Sequence, residues 1–248
     1  MKTTLLYIML ILPVKLWGQM SMDMDTVRIG EVVISSAKSE PTFSGLKHNS
    51  IDSAILKEYS NSSISELLTG HSLIFIKSYG TGGIASPSFR GTGANHTIID
   101  WNGININNPM LGQSDLSIIP SGLIDNINVY YGGASMVLND GGIGGAINLE
   151  TRPEWEKRTS ITLNSGMGSF GEYTGLMKVR TGDLQFQSVT KAYLMSAENN
   201  FRYLDNESSS IPVWKTRGNS QMSQQGFLQE LYYRNTGNVA SARIWYQS

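Results

Sequence analysis

The spacing of apolar residues changes several times along this chain, and each change predicts a different kind of element. It begins as a block, with Leu5 to Leu12 unbroken and apolar after Met1-Lys2, and Leu16-Trp17-Gly18-Gln19 following as a candidate cleavage region. A basic start and an apolar core of that length predict a secretory signal peptide over residues 1–19. The run is too short to cross a bilayer as a helix, which takes about 20 residues. No later window is more suitable, so any residence in a membrane must be as a β-barrel.

Residues 20–50 form a second region. Asp25 to Ser35 is β-prone and runs into a polar, Ser-rich stretch. Two readings stay open for it on residue types alone: the first strand of the domain that follows, or an extended peptide that adds a strand to a partner's sheet edge.

From Ile51 to Gly70 the spacing turns helical. Ile51, Ala54, Ile55 and Tyr59 share a face, and Ser63-Ile64-Ser65-Glu66 is a capping box before Leu67-Leu68, with Gly70 as the stop. Short strands are predicted next, at Leu73 to Lys77, Ser86 to Phe89, Thr97 to Trp101 before an Asn102-Gly103 turn, Ile124 to Tyr130, and Gly145 to Glu150. One helical turn over Asp115 to Pro120 interrupts them. Residues 51–152 therefore read as an α+β domain of roughly 100 residues.

After Pro153, segments of about ten residues alternate with turns, as expected of a transmembrane β-barrel. Tyr173, Gly175, Met177 and Val179 oppose Glu172, Thr174, Lys178 and Arg180, and Ala240, Ala242, Ile244 and Tyr246 oppose Ser241, Arg243 and Gln247. Leu184 to Met195 and Ser223 to Arg234 alternate less cleanly. About five strands are predicted over 158–248. Short reversals at Thr181-Gly182-Asp183 and Asn235 to Asn238 are expected on the inner rim and the long polar Ala197 to Ser220 on the outer rim, while the first outer reversal, around Gly166-Met167-Gly168, is short and breaks the rule. A soluble sandwich with one long loop fits the strand pattern equally well.

Composition narrows the classes. With 19 basic and 20 acidic side chains, nothing in the bulk charge points to nucleic acid. The absence of cysteine excludes disulfides and thiolate metal sites, and no metal or cofactor site is evident. An enzyme reading is disfavoured. His48, His71 and His96 are scattered, neither HExxH nor GxSxG occurs, and Ser88, His96 and Asp100 are neighbours in sequence only. The run Gly141-Gly142-Ile143-Gly144-Gly145 opens a strand rather than a helix, so it is no dinucleotide loop. It suits a domain whose loops turn tightly beside a surrounding wall.

Several separated motifs, in order, carry a resemblance: Ser65-Glu66-Leu67-Leu68, Ser88-Phe89-Arg90-Gly91-Thr92-Gly93, Ile98-Ile99-Asp100-Trp101-Asn102-Gly103, Ile119-Pro120, Ile124 to Val129, Gly132-Gly133-Ala134-Ser135, and Gly141 to Leu149. Through them residues 63–152 resemble the plug domain of TonB-dependent outer-membrane transporters. The resemblance implies an α+β plug followed by the first antiparallel strands of a transmembrane β-barrel, 22-stranded when complete. The chain is then expected to be the N-terminal part of a longer protein in the outer membrane of a Gram-negative cell, with its plug facing the periplasm.

The same resemblance implies the partners. Glu31, Val32, Val33, Ile34 and Ser35 look like the box that pairs with the TonB energy-transducing complex. The implied ligand is a corrinoid or ferric siderophore, with Asn199, Phe201, Arg202 and Tyr203 as its candidate loop. Arg90, Gly91, Asn102, Gly103 and Asn128 are the expected plug–barrel contacts. The family's usual Glu-Val-Leu-Arg-Gly-Pro is replaced here by Asn128-Val129-Tyr130-Tyr131-Gly132-Gly133, so the plug is expected to be held by Arg90 and uncharged hydrogen bonds. Two alternatives to transport are a secreted or periplasmic ligand-binding module and a truncated, inactive receptor.

Overall fold

A computed structural model describes residues 47–132, 142–206 and 212–248. The signal peptide, Glu31 to Ser35 and Gly133 to Gly141 lie outside the described residues.

The first domain opens with β1 (His48–Ile51) and two short helices, α1 (Ser53–Glu58) and α2 (Ile64–His71). Sequence spacing put Ile51 on the first helix, but it pairs with Ile127 and its side chain is buried in the core. Asp52 then starts α1 by accepting from Ala54 N at 2.7 Å. The capping box at α2 forms as read, with Ser63 Oγ accepting from Glu66 N and Glu66 Oε2 accepting from Ser63 N, both at 3.3 Å. That start turns Ile64, Leu67 and Leu68 inward.

Six strands follow: β2 (Phe75–Ser78), β3 (Ala85–Ser88), β4 (Thr97–Trp101), β5 (Ile104–Asn105), β6 (Asn126–Tyr131) and β7 (Gly145–Glu150). A 3-10 turn over Leu116–Ile118 fills the place predicted for one helical turn. The main sheet has the order β1-β6-β7-β4-β5, with β4 and β7 parallel and the other neighbours antiparallel. Asn102 (φ 53°) and Gly103 (φ 85°) close the β4–β5 hairpin with both central residues at positive φ. β2 and β3 make a separate hairpin.

The glycine run has a local explanation. Gly145 sits at φ 153°, and a Cβ there would lie 2.5 Å from Tyr130 O and 2.9 Å from the Phe89 ring. The backbone is bare because β7 passes against its own domain. The first-domain glycines that meet the sheet lie elsewhere: an added Cβ would run into the Leu176 side chain at Gly122 and into Met222 at Gly82. Gly145→Ala is expected to destabilise the first domain by about 1–3 kcal/mol through backbone strain alone. A urea titration of the full-length protein measures it.

The second sheet contains β8 (Arg158–Gly168), β9 (Glu172–Gly182), β10 (Phe186–Ala197), β13 (Met222–Asn235) and β14 (Asn238–Gln247), in the order β14-β13-β10-β9-β8 and antiparallel throughout. A small hairpin, β11 (Arg202–Asp205) with β12 (Val213–Thr216), stands in the long connection between β10 and β13. One end of the sheet carries this connection and is the loop end. The other carries the short β9–β10 and β13–β14 reversals and is the turn end, while the short β8–β9 reversal at Ser169–Gly171 lies at the loop end.

The two faces of this sheet differ. Leu176, Tyr193 and Leu228 join the same buried cluster as Ile99, Ile127, Ile147 and Leu123 of the first domain. On the opposite face Ile161, Leu163, Met167, Met177, Leu194, Phe227, Leu231, Ile244 and Tyr246 are exposed. A face this apolar is out of place in water but suits lipid, and strands of 10 to 14 residues are long enough to cross it. Tyr233 and Tyr246 belong to that face, whereas Tyr232 and Trp245 turn toward the first domain. Among the described residues no helix is long and apolar enough to cross a membrane.

Candidate functional site

The contact between the first domain and the sheet centres on a buried ammonium. Lys191, in the middle of β10, is fully buried, and its Nζ faces Leu123 O at 2.6 Å, Asp125 Oδ2 at 3.1 Å and Glu230 Oε2 at 3.5 Å. The ammonium donates to the two oxygens on the first domain, and Glu230 Oε2 stands at ion-pair distance without a hydrogen bond. Lys178 of β9 lies directly opposite Lys191 in the ladder. Like charges in that position repel, and Asp125 relieves them by giving its other oxygen to Lys178 Nζ at 2.7 Å.

The array continues along the sheet. Glu230 Oε1 accepts from Tyr232 OH at 2.7 Å and from Arg243 Nε at 3.3 Å. Arg180 pairs with Glu154 in the segment that joins the domains. Burial alone would push the Asp125 carboxyl up, but the charges of Lys191 and Lys178, with the Arg152 N–H at 3.1 Å, outweigh it and hold the pKa at about 2, below the usual 3.8. A group depressed in the folded state contributes stability that is full above its unfolded pKa and is lost as pH falls through the folded one. The first domain is therefore expected to loosen from the sheet between about pH 4 and pH 2, by roughly 2 kcal/mol, and Asp125→Asn to remove that dependence. Trypsin protection of the full-length protein across this range checks it.

Uncharged contacts flank the array. Thr151 Oγ1 meets Tyr232 OH at 3.2 Å, Gln224 Nε2 donates to Ile118 O at 2.5 Å, Asn164 Nδ2 donates to Ser60 Oγ at 2.9 Å, and the Trp101 and Trp245 rings meet edge to face at 4.7 Å. A polar cavity of about 670 Å³ opens between α1 and β8–β9, with Lys57, Asp125, Arg158, Lys178 and Arg180 among its walls.

At the loop end a second contact forms. Asn199 Nδ2 donates to Thr81 O, in the β2–β3 hairpin, and to Ser220 O, both at 2.9 Å. Nearby, Phe201 packs on Phe170 at 5.7 Å and under the Arg217 guanidinium at 5.2 Å, and Arg202 lies over Trp214 at 5.5 Å. Of the four candidate loop residues, Phe201, Arg202 and Tyr203 stay accessible, while Asn199 is buried in the contact.

The expected plug–barrel residues are placed differently from one another. Asn102 holds Thr151, accepting from its N at 2.9 Å, and so acts on Tyr232 of the sheet through one intermediate. Asn128 lies inside the first domain, opposite Ser50 and Asn148. Arg90 (φ 48°) is exposed beside Gly132, and Gly91 and Gly103 occupy turns. Among the described residues no hydrogen bond or ion pair joins Arg90 or Asn128 to the sheet. Uncharged hydrogen bonds do join domain and sheet, at Thr151, Gln224 and Asn164 rather than at Arg90, and beside them stands an ion-pair array not expected from the sequence, with the carboxylate on the first domain and the lysines on the strands. The signal available in sequence was Lys191, a charge that shares a strand face with Val189, Tyr193 and Met195. As for an enzyme, Ser88 Oγ donates to Thr92 O at 2.5 Å and Asp100 Oδ1 accepts from Gly103 N at 2.8 Å, so these two are occupied with their own turns.

A small α+β domain seated by buried charge on one face of a long-stranded sheet, with lipid-compatible residues on the other face, is the arrangement expected of a plug beside the first strands of a membrane barrel. Residues 46–146 match the family model of the TonB-dependent Receptor Plug Domain. The matched plug is followed by strands resembling the N-terminal portion of the barrels of TonB-dependent receptors. It is 30% identical over 128 residues to the vitamin B12 transporter BtuB of Vibrio vulnificus (strain YJ016), covering 52% of this chain and 20% of the relative. The pyoverdine outer membrane receptor FpvA of Pseudomonas aeruginosa PAO1 superposes with a TM-score of 0.60 at 15% identity, over 82% of this chain and 27% of that one. The siderophore receptor PiuA of Acinetobacter baumannii gives 0.60 at 13%, over 82% and 26%, and the copper transporter OprC 0.58 at 15%, over 75% and 28%. The chain therefore spans about a fifth to a quarter of the length of these proteins.

Proposed function

We propose that this chain supplies the plug and first barrel strands of an outer-membrane transporter that captures a scarce, large ligand at its loop end and releases it inward when TonB pulls on Glu31 to Ser35. The loop end then faces outside and the turn end the periplasm, in keeping with the long β10–β13 connection and the short β9–β10 and β13–β14 reversals, from which the short β8–β9 reversal departs. The observation that carries this reading is the seat of the plug. Asp125 joins it to two strands through a compact array at one point, a linkage that holds at rest and can be released by a localised pull. A plug bound by apolar packing alone would lack such a discrete release point.

Corrinoids and ferric siderophores are the ligand classes favoured, because a B12 transporter is among the relatives and siderophore receptors are among the fold neighbours. The test uses the full-length receptor in a host stripped of its own cobalamin and siderophore receptors. Uptake of labelled cyanocobalamin or of a ferric siderophore, dependent on the host's TonB, is the expected result. If neither probe enters in a TonB-dependent way, the proposal fails.

A further inference from the structure

The contact at Asn199 is more than a loop anchor. Four segments meet there: Phe170-Gly171 from the β8–β9 reversal, Glu198-Asn199, Ser220 to Met222, and Thr81-Gly82 at the tip of the β2–β3 hairpin. Glu198 N and Asn199 N both donate to Phe170 O at 3.2 Å, and Ser220 Oγ donates to Asn199 O at 2.9 Å. A Cβ added at Gly82 would lie 2.8 Å from the Met222 Cβ, so the plug tip and β13 already touch as closely as side chains allow. Asn199 takes φ 52°, which asparagine tolerates better than most residues, and this turns its amide toward both carbonyls at once.

We propose that Asn199 is a positioning residue that joins the β11–β12 hairpin to the plug tip, so that the two hairpins form one capturing surface and move together. The partners it brings side by side are suited to a ligand. Tyr79 and Ile84 flank the plug tip and are exposed. Phe201, Arg202, Trp214 and Arg217 stack ring on cation across the other hairpin. The amide is the one side-chain donor described between Thr81 and the long connection, so its two bonds set the distance between these surfaces. The capturing role rests on the transport reading above; the mechanical joining does not.

The experiment is hydrogen exchange on the full-length receptor without ligand, comparing Asn199→Gly, which keeps the backbone conformation and removes the donors, with Asn199→Asp, which keeps the shape and turns a carboxylate on two carbonyls. Two lost hydrogen bonds predict exchange about tenfold faster or more in Ser78–Ala85 and in both Arg202–Asp205 and Val213–Thr216, with β6, β7, β10 and β13 unchanged. Faster exchange in one hairpin alone, or in neither, overturns the proposal. A general rise that includes β10 and β13 also overturns it, since that is the mark of a merely structural role. Affinity for cyanocobalamin or a ferric siderophore, measured in parallel, is expected to fall at least tenfold for whichever probe the wild type binds; unchanged affinity would remove the capturing role and leave the joining. Because exchange needs neither ligand nor TonB, failure of the transport reading would leave that result intact.

Discussion

Replacing Lys191 by methionine in the full-length receptor is expected to loosen the plug from the barrel by about 3 kcal/mol, the lower part of the range for breaking a buried ion pair. The lower part applies because neither carboxylate is stranded: Asp125 retains Lys178 at 2.7 Å, and Glu230 retains Arg243 at 3.3 Å. Leu123 O nevertheless loses its 2.6 Å donor, and Glu230 Oε2 loses its only described cation. The measurement is the temperature at which plug residues become open to protease while the barrel stays folded on a gel. The variant Asp125→Asn, Lys178→Met, Lys191→Met, Glu230→Gln, Arg243→Met removes the charges together and is expected to recover part of the loss, because an uncompensated charge costs more than an absent one. A single variant as stable as wild type would mean that the array contributes nothing to the seat.

Deleting Glu31 to Ser35 is expected to abolish uptake while leaving ligand affinity unchanged. The segment is β-prone and lies before the plug in the chain, and an added strand on a partner's sheet edge draws its affinity from main-chain hydrogen bonds. Deletion therefore removes the whole pairing, whereas single side-chain changes would leave much of it. The ligand's contacts, by contrast, are proposed at the loop end. Uptake measured beside equilibrium binding on the same cells separates the two. Uptake that survives the deletion would sink the energised mechanism.

The elements legible in sequence were those whose stability is local. The α2 capping box, the Asn102-Gly103 turn and the alternation of β9 and β14 each depend on residues within a few positions of one another. β10 and β13 read poorly because the plug makes their inward face apolar too: Val189, Tyr193 and Met195 on one, and Leu228 with Tyr232 on the other, are buried. Alternation fades when both faces of a sheet lose water. β1 was hidden for another reason. Its partner β6 lies more than 70 residues away, and Ile51 fits the helical spacing of α1 by coincidence. The site was the least legible part. Asp125, Lys178 and Glu230 are ordinary surface residue types, and only the pairing of β9, β10 and β13 gathers them.

The burial of Lys191 also bears on how such a receptor is made. In an empty barrel this ammonium, with Lys178 opposite it, would face a lumen from which its Leu123 and Asp125 oxygens are missing. The plug precedes the described strands of the sheet in the chain. Assembly around the plug lets each strand meet its counter-charge as it docks. Insertion afterwards would require a charged surface to be wetted and then dried. Where such a sheet closes into a barrel, the domain proposed to be moved aside in transport would then also be the template for its own enclosure.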